Sequence, residues 1–379
     1  MNTKKLLYQT KIADNNGEYY LTHLGNGLIG TVGGYDEKID VLNLNTGEIL
    51  WRVKSYERFG GVSDPIYDDK FIYLARGNDF RSIYACQPQT GICEWERNLS
   101  NSTYQFMVPL AQTETHIASC NPTAKKLTII EKTTGKISCR AKLAHPVREY
   151  KQDVMAWNNQ FVAIALDKRK KEFVLDLYDP TIEDGFVKTI GIIPDKNEPS
   201  VQIIVEDSIF IFTEKGYFYK INLQTGAVEQ KEVTNNIEKP GRFCHSKVIN
   251  RNEDKLYCVV LHDDIYMLCT YDQTSGIFTK KTIDVSITDV FGNNILPLTQ
   301  GKGYHLSEAA CLVEYDLANE GLSKTISLER APEILDEDFL FRNTERYGET
   351  WLVAENKLIA VVEDEDGDNC ILFCWEISE

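Results

Sequence analysis

Short apolar or alternating runs of four to eight residues, parted by polar turn residues, repeat along the whole chain. The stretch 38–44 (Lys-Ile-Asp-Val-Leu-Asn-Leu) alternates at period two, as does 217–223 (Tyr-Phe-Tyr-Lys-Ile-Asn-Leu). Alternation of this kind predicts half-buried β-strands, and no segment carries the 3.6-residue period of an amphipathic helix. A turn built on Thr-Gly follows such strands at Thr46-Gly47, Thr90-Gly91, Thr134-Gly135 and Thr225-Gly226, and as Ser275-Gly276. The first three glycines lie 44 residues apart both times, and degenerate copies around Gly185 and Gly321 fill the gaps. Glycine supplies the positive φ that a tight hairpin or its bulge requires, and the Asn, Asp, Gln and Thr before it bond back onto the turn.

Two more strands precede each such hairpin, read at 62–67 and 70–75 around Asp68-Asp69, and at 201–205 and 208–212 around Glu206-Asp207. Four short strands per repeat of this length predict the blade of a β-propeller. The chain closes on a third strand, 370–377, with no outer strand after it, while 5–12 is an orphan strand ahead of the first repeat. Pairing these two completes another blade and removes both free edges. The expectation is therefore an all-β chain forming one domain over 1–379. It is an eight-bladed β-propeller with four antiparallel strands per blade, its ring closed by the N-terminal strand on the C-terminal blade. Seven blades is the alternative, if a degenerate copy is a decoration.

Charge narrows the partner. With 41 Lys and Arg against 57 Asp and Glu the net charge is −16, so phosphate-rich surfaces repel the chain, and neither nucleic acid nor a membrane is expected as its partner. A protein with a basic surface is. The start Met1-Asn-Thr-Lys-Lys-Leu-Leu-Tyr-Gln-Thr lacks the continuous apolar core of an export signal, and no run approaches the roughly 18 apolar residues of a membrane span. Ten cysteines without an export signal or a CxxC pair read as reduced core residues, and the expected location is the cytoplasm.

Motifs of chemistry are sparse. His262-Asp263-Asp264 sits between two apolar runs and reads as a hairpin turn, and Glu363-Asp-Glu-Asp-Gly-Asp-Asn369 misplaces its glycine for a calcium loop and reads as a solvated hairpin tip. Gly-x-Ser-x-Gly, the GxxxxGK[ST] loop and GxGxxG before a helix are absent, so no catalytic residue, metal or cofactor is expected. Arginine beside an aromatic recurs where one repeat passes to the next: Arg58 and Phe59, Arg148 and Tyr150, Arg242 and Phe243, with Arg330 and Arg342 near the end. Arg with Tyr or Phe is the composition of interface hot spots, and loops of this type gather at one mouth of a propeller. The competing reading makes these ordinary loop cations, with the phenylalanines as core.

The pattern Leu-x-x-x-Thr-Gly-x-x-x-Trp at 42–51, and its variant at 85–95, resembles the tryptophan-docking repeat of the pyrroloquinoline-quinone-like propellers. Trp51 and Trp95 hold the docking position, Cys139 falls near it in the third repeat and Gln230 in the fifth. The resemblance implies the fold and a divergent member that is not a quinoprotein. The quinone-dependent dehydrogenases of the family carry an adjacent Cys-Cys pair that this chain lacks, and its lipoproteins carry a lipidated cysteine near the start, whereas the first cysteine here is Cys86. The function expected is a noncatalytic protein-binding scaffold, in sharper form an inhibitor or immunity-type partner of a basic toxin or enzyme. The alternative is a propeller hydrolase or lyase acting on a sugar or small anion at the channel mouth.

Overall fold

The structure, a computed structural model, describes residues 4–13, 19–33, 38–54, 65–76, 82–99, 110–121, 126–142, 154–167, 170, 172–193, 199–213, 216–232, 244–245, 250–252, 254–262, 265–282, 296–299, 302–307, 311–316, 322–329, 351–363 and 370–377. Among them every regular element is a strand, and all strand pairs within the sheets are antiparallel. They form eight sheets, which we number by their place in the chain: the first spans 19–54, the second 66–98, the third 110–142 and the fourth 154–193. The fifth spans 199–232, the sixth 244–282 and the seventh 296–327, while the eighth takes 351–376 together with Leu6–Ala13.

Spatial order follows chain order in seven of the sheets, so each is a meander of consecutive hairpins. The sixth carries a fifth strand, Asn250–Asn252, on its second strand Lys255–His262. The eighth differs in origin: its outer strand is Leu6–Ala13, paired with Cys370–Glu376 in a register running from Leu6 opposite Trp375 to Ala13 opposite Cys370. The strands read from sequence at 5–12 and 370–377 thus pair as expected. By contact density the chain divides into two compact units, Met1–Lys54 with Gly241–Glu379, and Ser55–Pro240.

Burial follows the strand period, and the middle strands are the most apolar because sheets pack on both their faces. Gln160–Asp167 and Glu172–Tyr178 each bury six consecutive residues, whereas the outer strand Ile137–Lys142 alternates exposed and buried. In the second unit Val162, Ile164, Leu175 and Leu177 of the fourth sheet pack with Ile209, Ile211, Tyr219 and Ile221 of the fifth. In the first unit Ile12, Leu372 and Cys374 pack with Ile29, Leu42 and Leu44.

Both hairpins read from each repeat are present. In the first, second, fourth, fifth and eighth sheets the first hairpin turns through a residue in the left-handed region, such as Asn26 (φ 48°), Asp69 (φ 60°) or Glu206 (φ 53°). The second turns on the repeat glycine, with φ of 71° at Gly47, 65° at Gly135 and 68° at Gly276. His262 ends one strand of the hairpin predicted there, opposite Ile265, and the acidic run 363–369 lies, apart from Glu363, outside the described residues.

Candidate interaction site

The recurring Thr-Gly turn organises the described residues. In five of its copies one residue both donates and accepts: Asn43 N donates to Glu48 O and its carbonyl accepts from Gly47 N, and Gln87, Glu131, Asn222 and Asp272 do the same. Their side chains seal the turn, Asn43 Oδ1 accepting from Asn45 N at 2.8 Å and Asp272 Oδ1 from Ser275 N at 2.8 Å. Bonds from the Ser275 amide and hydroxyl hold the Asp272 carboxyl below its usual range, and the Thr134 and Thr133 hydroxyls do so for Glu131. The copy at Gly185 is longer, closed by Asp179 N on Gly185 O.

Both turns of a sheet lie at the same end and are bonded together, by Leu44 N to Gly27 O and Lys132 N to Thr115 O. At Gly47, Gly135 and Gly185 a side chain from the outer strand of the preceding sheet then lies on the glycine. On the third sheet it is Trp95, which donates its indole N–H to Lys132 O at 2.8 Å while Arg97, two residues on, reaches Gly135 O. A Cβ on Gly135 would come within 2.6 Å of the indole, so contact and φ both require glycine here. On the first sheet Tyr8 takes the place of the tryptophan. Its hydroxyl donates to Leu44 O at 2.8 Å, Thr10 Oγ1 donates to Gly47 O at 2.8 Å, and the Tyr8 ring covers Gly47. Burial holds the Tyr8 phenol well above its ordinary pKa, with Cys374 adding to the shift, so the hydroxyl stays a donor.

The dock weakens along the second unit. Cys139 Sγ and Ala141 replace the aromatic at Gly185, a backbone carbonyl, Ile190 O, meets Gly226, and in the first unit nothing among the described residues lies within 4 Å of a Cβ built on Gly276.

A buried polar cluster backs the Trp95 dock. Asp68 accepts from Tyr73 OH at 2.9 Å and pairs with Lys132 Nζ at 3.0 Å, and the Lys132 ammonium lies 5.7 Å from the Tyr73 ring centroid. Lys132 is 5% exposed, so its charge is held by Asp68 in place of water. Burial, and then the bond to Asp68, raises the Tyr73 pKa well above its ordinary value. Sequence reading missed this cluster, and its one local signal was the Asp68-Asp69 turn.

Arg58, Phe59, Arg148, Tyr150, Arg242, Phe243, Arg330 and Arg342 all lie outside the described residues. They fall where an outer strand passes to the next sheet, and the flanking strands leave and enter at the end opposite the Thr-Gly turns. Among the described residues no group of three or more His, Cys, Asp or Glu could hold a metal, and no helix is long and apolar enough to cross a membrane.

Four-stranded antiparallel sheets whose Thr-Gly turns receive an aromatic from the neighbouring sheet define a pyrroloquinoline-quinone-like β-propeller. The chain belongs to the family described as "Outer membrane protein assembly factor BamB", whose profile matches residues 26–232, more than half its length. Three solved structures have a similar fold. BamB from Moraxella catarrhalis has a TM-score of 0.59 at 11% identity, over 99% of this chain and 100% of that one. Sqt1 from Saccharomyces cerevisiae has 0.66 at 11%, over 100% of both. Apo AztD from Citrobacter koseri has 0.56 at 12%, over 93% of both. No curated protein matches the sequence.

Proposed function

We propose that the chain is a noncatalytic scaffold that binds another protein on an eight-bladed ring forming a single domain, closed where Leu6–Ala13 pairs with the last sheet. The observation that carries the scaffold reading is the series of turns locked by docked side chains, together with the family match. Rigid sheets with variable connections suit binding, because loops change without disturbing the strands. The eight sheets and the fastening of Leu6–Ala13 support the closed ring.

The partner carries a basic surface, which the net charge of −16 would steer toward the ring. It is engaged by the connections bearing Arg58, Phe59, Arg148, Tyr150, Arg242, Phe243, Arg330 and Arg342. In the sharper form the protein is an inhibitor or immunity-type cap on a basic toxin or enzyme, acting in the cytoplasm. The seven cysteines whose side chains are described are free thiols, which supports that compartment. The family description favours a second reading, an assembly subunit of the cell envelope. Fractionation of native cells separates the two: recovery with the envelope would overturn the cytoplasmic reading. The scaffold itself is tested by cross-linking the partner in cells and measuring its affinity for the Arg58→Ala/Arg242→Ala protein. A loss of about 1 to 3 kcal/mol is expected for interfacial arginine anchors, and unchanged affinity would remove these loops from the interface.

A further inference from the structure

The hairpin that carries Trp95 also holds two thiols face to face. Cys86 ends the third strand of the second sheet, and its register partner on the outer strand is Cys93. Directly opposed residues of an antiparallel pair have Cα atoms about 4.5–5.5 Å apart, inside the window of roughly 4.4–6.8 Å that a disulfide needs. The register slips between Ala85 and Cys86, a bulge of the kind that re-aims a side chain. The Cys86 thiol hydrogen-bonds the Cys93 sulfur, which also reaches Trp95 O at 3.2 Å. The two sulfurs differ in access: Cys93 is exposed, Cys86 only 3% so. Cys120, Cys139, Cys269, Cys370 and Cys374 are buried, and burial pushes Cys120 and Cys269 up to about 12 and Cys374 to about 11.

We propose that Cys86 and Cys93 are a dithiol site that a small-molecule disulfide converts to a cross-strand disulfide. The Cys93 thiolate attacks one sulfur of the small disulfide, forming a mixed disulfide and releasing one thiol. Cys86 then loses its proton and attacks the Cys93 sulfur, closing the protein disulfide and expelling the second thiol. Two protein thiols are oxidised and one small disulfide is reduced to two thiols, so atoms and electrons balance. Burial and Glu96 hold the Cys93 thiol above its ordinary value, which slows the first attack, and the bond from Cys86 works against that shift. The product clamps the turn 87–92 next to the strand that docks Trp95 on the third sheet. The site is independent of what the scaffold binds.

The test incubates the full-length reduced protein with oxidised glutathione, alkylates the remaining thiols and maps the peptides by mass spectrometry. The expected product links Cys86 to Cys93, lowers the thiol titre by two per chain, and raises a melting temperature that dithiothreitol restores. Cys86→Ser should accumulate glutathione on Cys93, and Cys93→Ser should leave Cys86 alkylated only after denaturation. A wild-type protein that retains glutathione on Cys93 with Cys86 still a thiol would overturn the proposal. So would an unreacted Cys93, or a disulfide drawn from any other pair.

Discussion

Gly135 and Gly276 occupy the same place in their turns and share a positive φ, 65° and 68°, yet only Gly135 lies under an indole. Alanine at Gly276 therefore meets the backbone penalty alone, about 1 kcal/mol. At Gly135 the added methyl also overlaps Trp95, and the total should reach about 2 to 4 kcal/mol. Urea unfolding of both variants measures the difference, and equal costs would mean that the dock contributes nothing. The positions of these glycines were legible because turn chemistry is local. The grading of the dock was partly legible, since Cys139 and Gln230 stand where a tryptophan would. Asp68 and Lys132 were not, because their pairing joins two repeats and leaves no periodic trace. Lys132→Met should cost about 2 to 4 kcal/mol, since the carboxylate of Asp68, itself mostly buried, loses its counter-charge. Restoration of stability by the further change Asp68→Asn would identify that charge as the cause.

The strand Leu6–Ala13 is fastened more widely than a partner for Cys370–Glu376. Lys4 N donates to Ser327 O and Glu329 N to Lys4 O, which ties the chain to the seventh sheet. Arg52 spans Asp40, at 2.5 Å, and Ile12 O, at 3.0 Å, and with Tyr8 and Thr10 it anchors the strand to the first sheet. Sequence predicted the pairing with the last strand because each was otherwise an open edge. The clasp to the seventh sheet is one bridge long, too short to shape a sequence pattern. Removing residues 1–12 should cost several kcal/mol, and Tyr8→Phe about 1 to 2, because Leu44 O loses its donor inside the dock. A truncated protein melting within a degree or two of the full chain would refute the fastening. At the turns, the lowered carboxyls of Asp272 and Glu131 favour the folded state above their unfolded pKa values. That contribution is lost as pH falls through the carboxylate range, below about 4. Acid unfolding of Asp272→Asn should accordingly show a shallower loss of stability than the parent.

Across the molecule the acidity is unevenly spread. Although the chain carries −16, outer strands expose Arg140 and Lys142, Lys280 and Lys281, and Lys324. Lysine on an outer strand blocks pairing with another sheet, so these cations read as protection of the edges. The basic partner proposed above is repelled by these cations, though not by the outer strands that expose Glu94, Glu96 and Glu229. Hence Arg140→Glu with Lys142→Glu should leave the partner's affinity unchanged, and stability within about 0.5 kcal/mol, as for exposed positions away from caps and cores. Association should slow as salt rises from low to physiological strength, because steering acts over about a Debye length, roughly 8 to 10 Å. Stopped-flow rates across that range, with the native partner captured by cross-linking, measure this directly. A rate indifferent to salt would leave the arginine-aromatic loops to bind by contact alone, whereas loss of binding on charge reversal at Glu363 and Asp368, with Arg58 and Arg242 dispensable, would move the interface to the acidic hairpin.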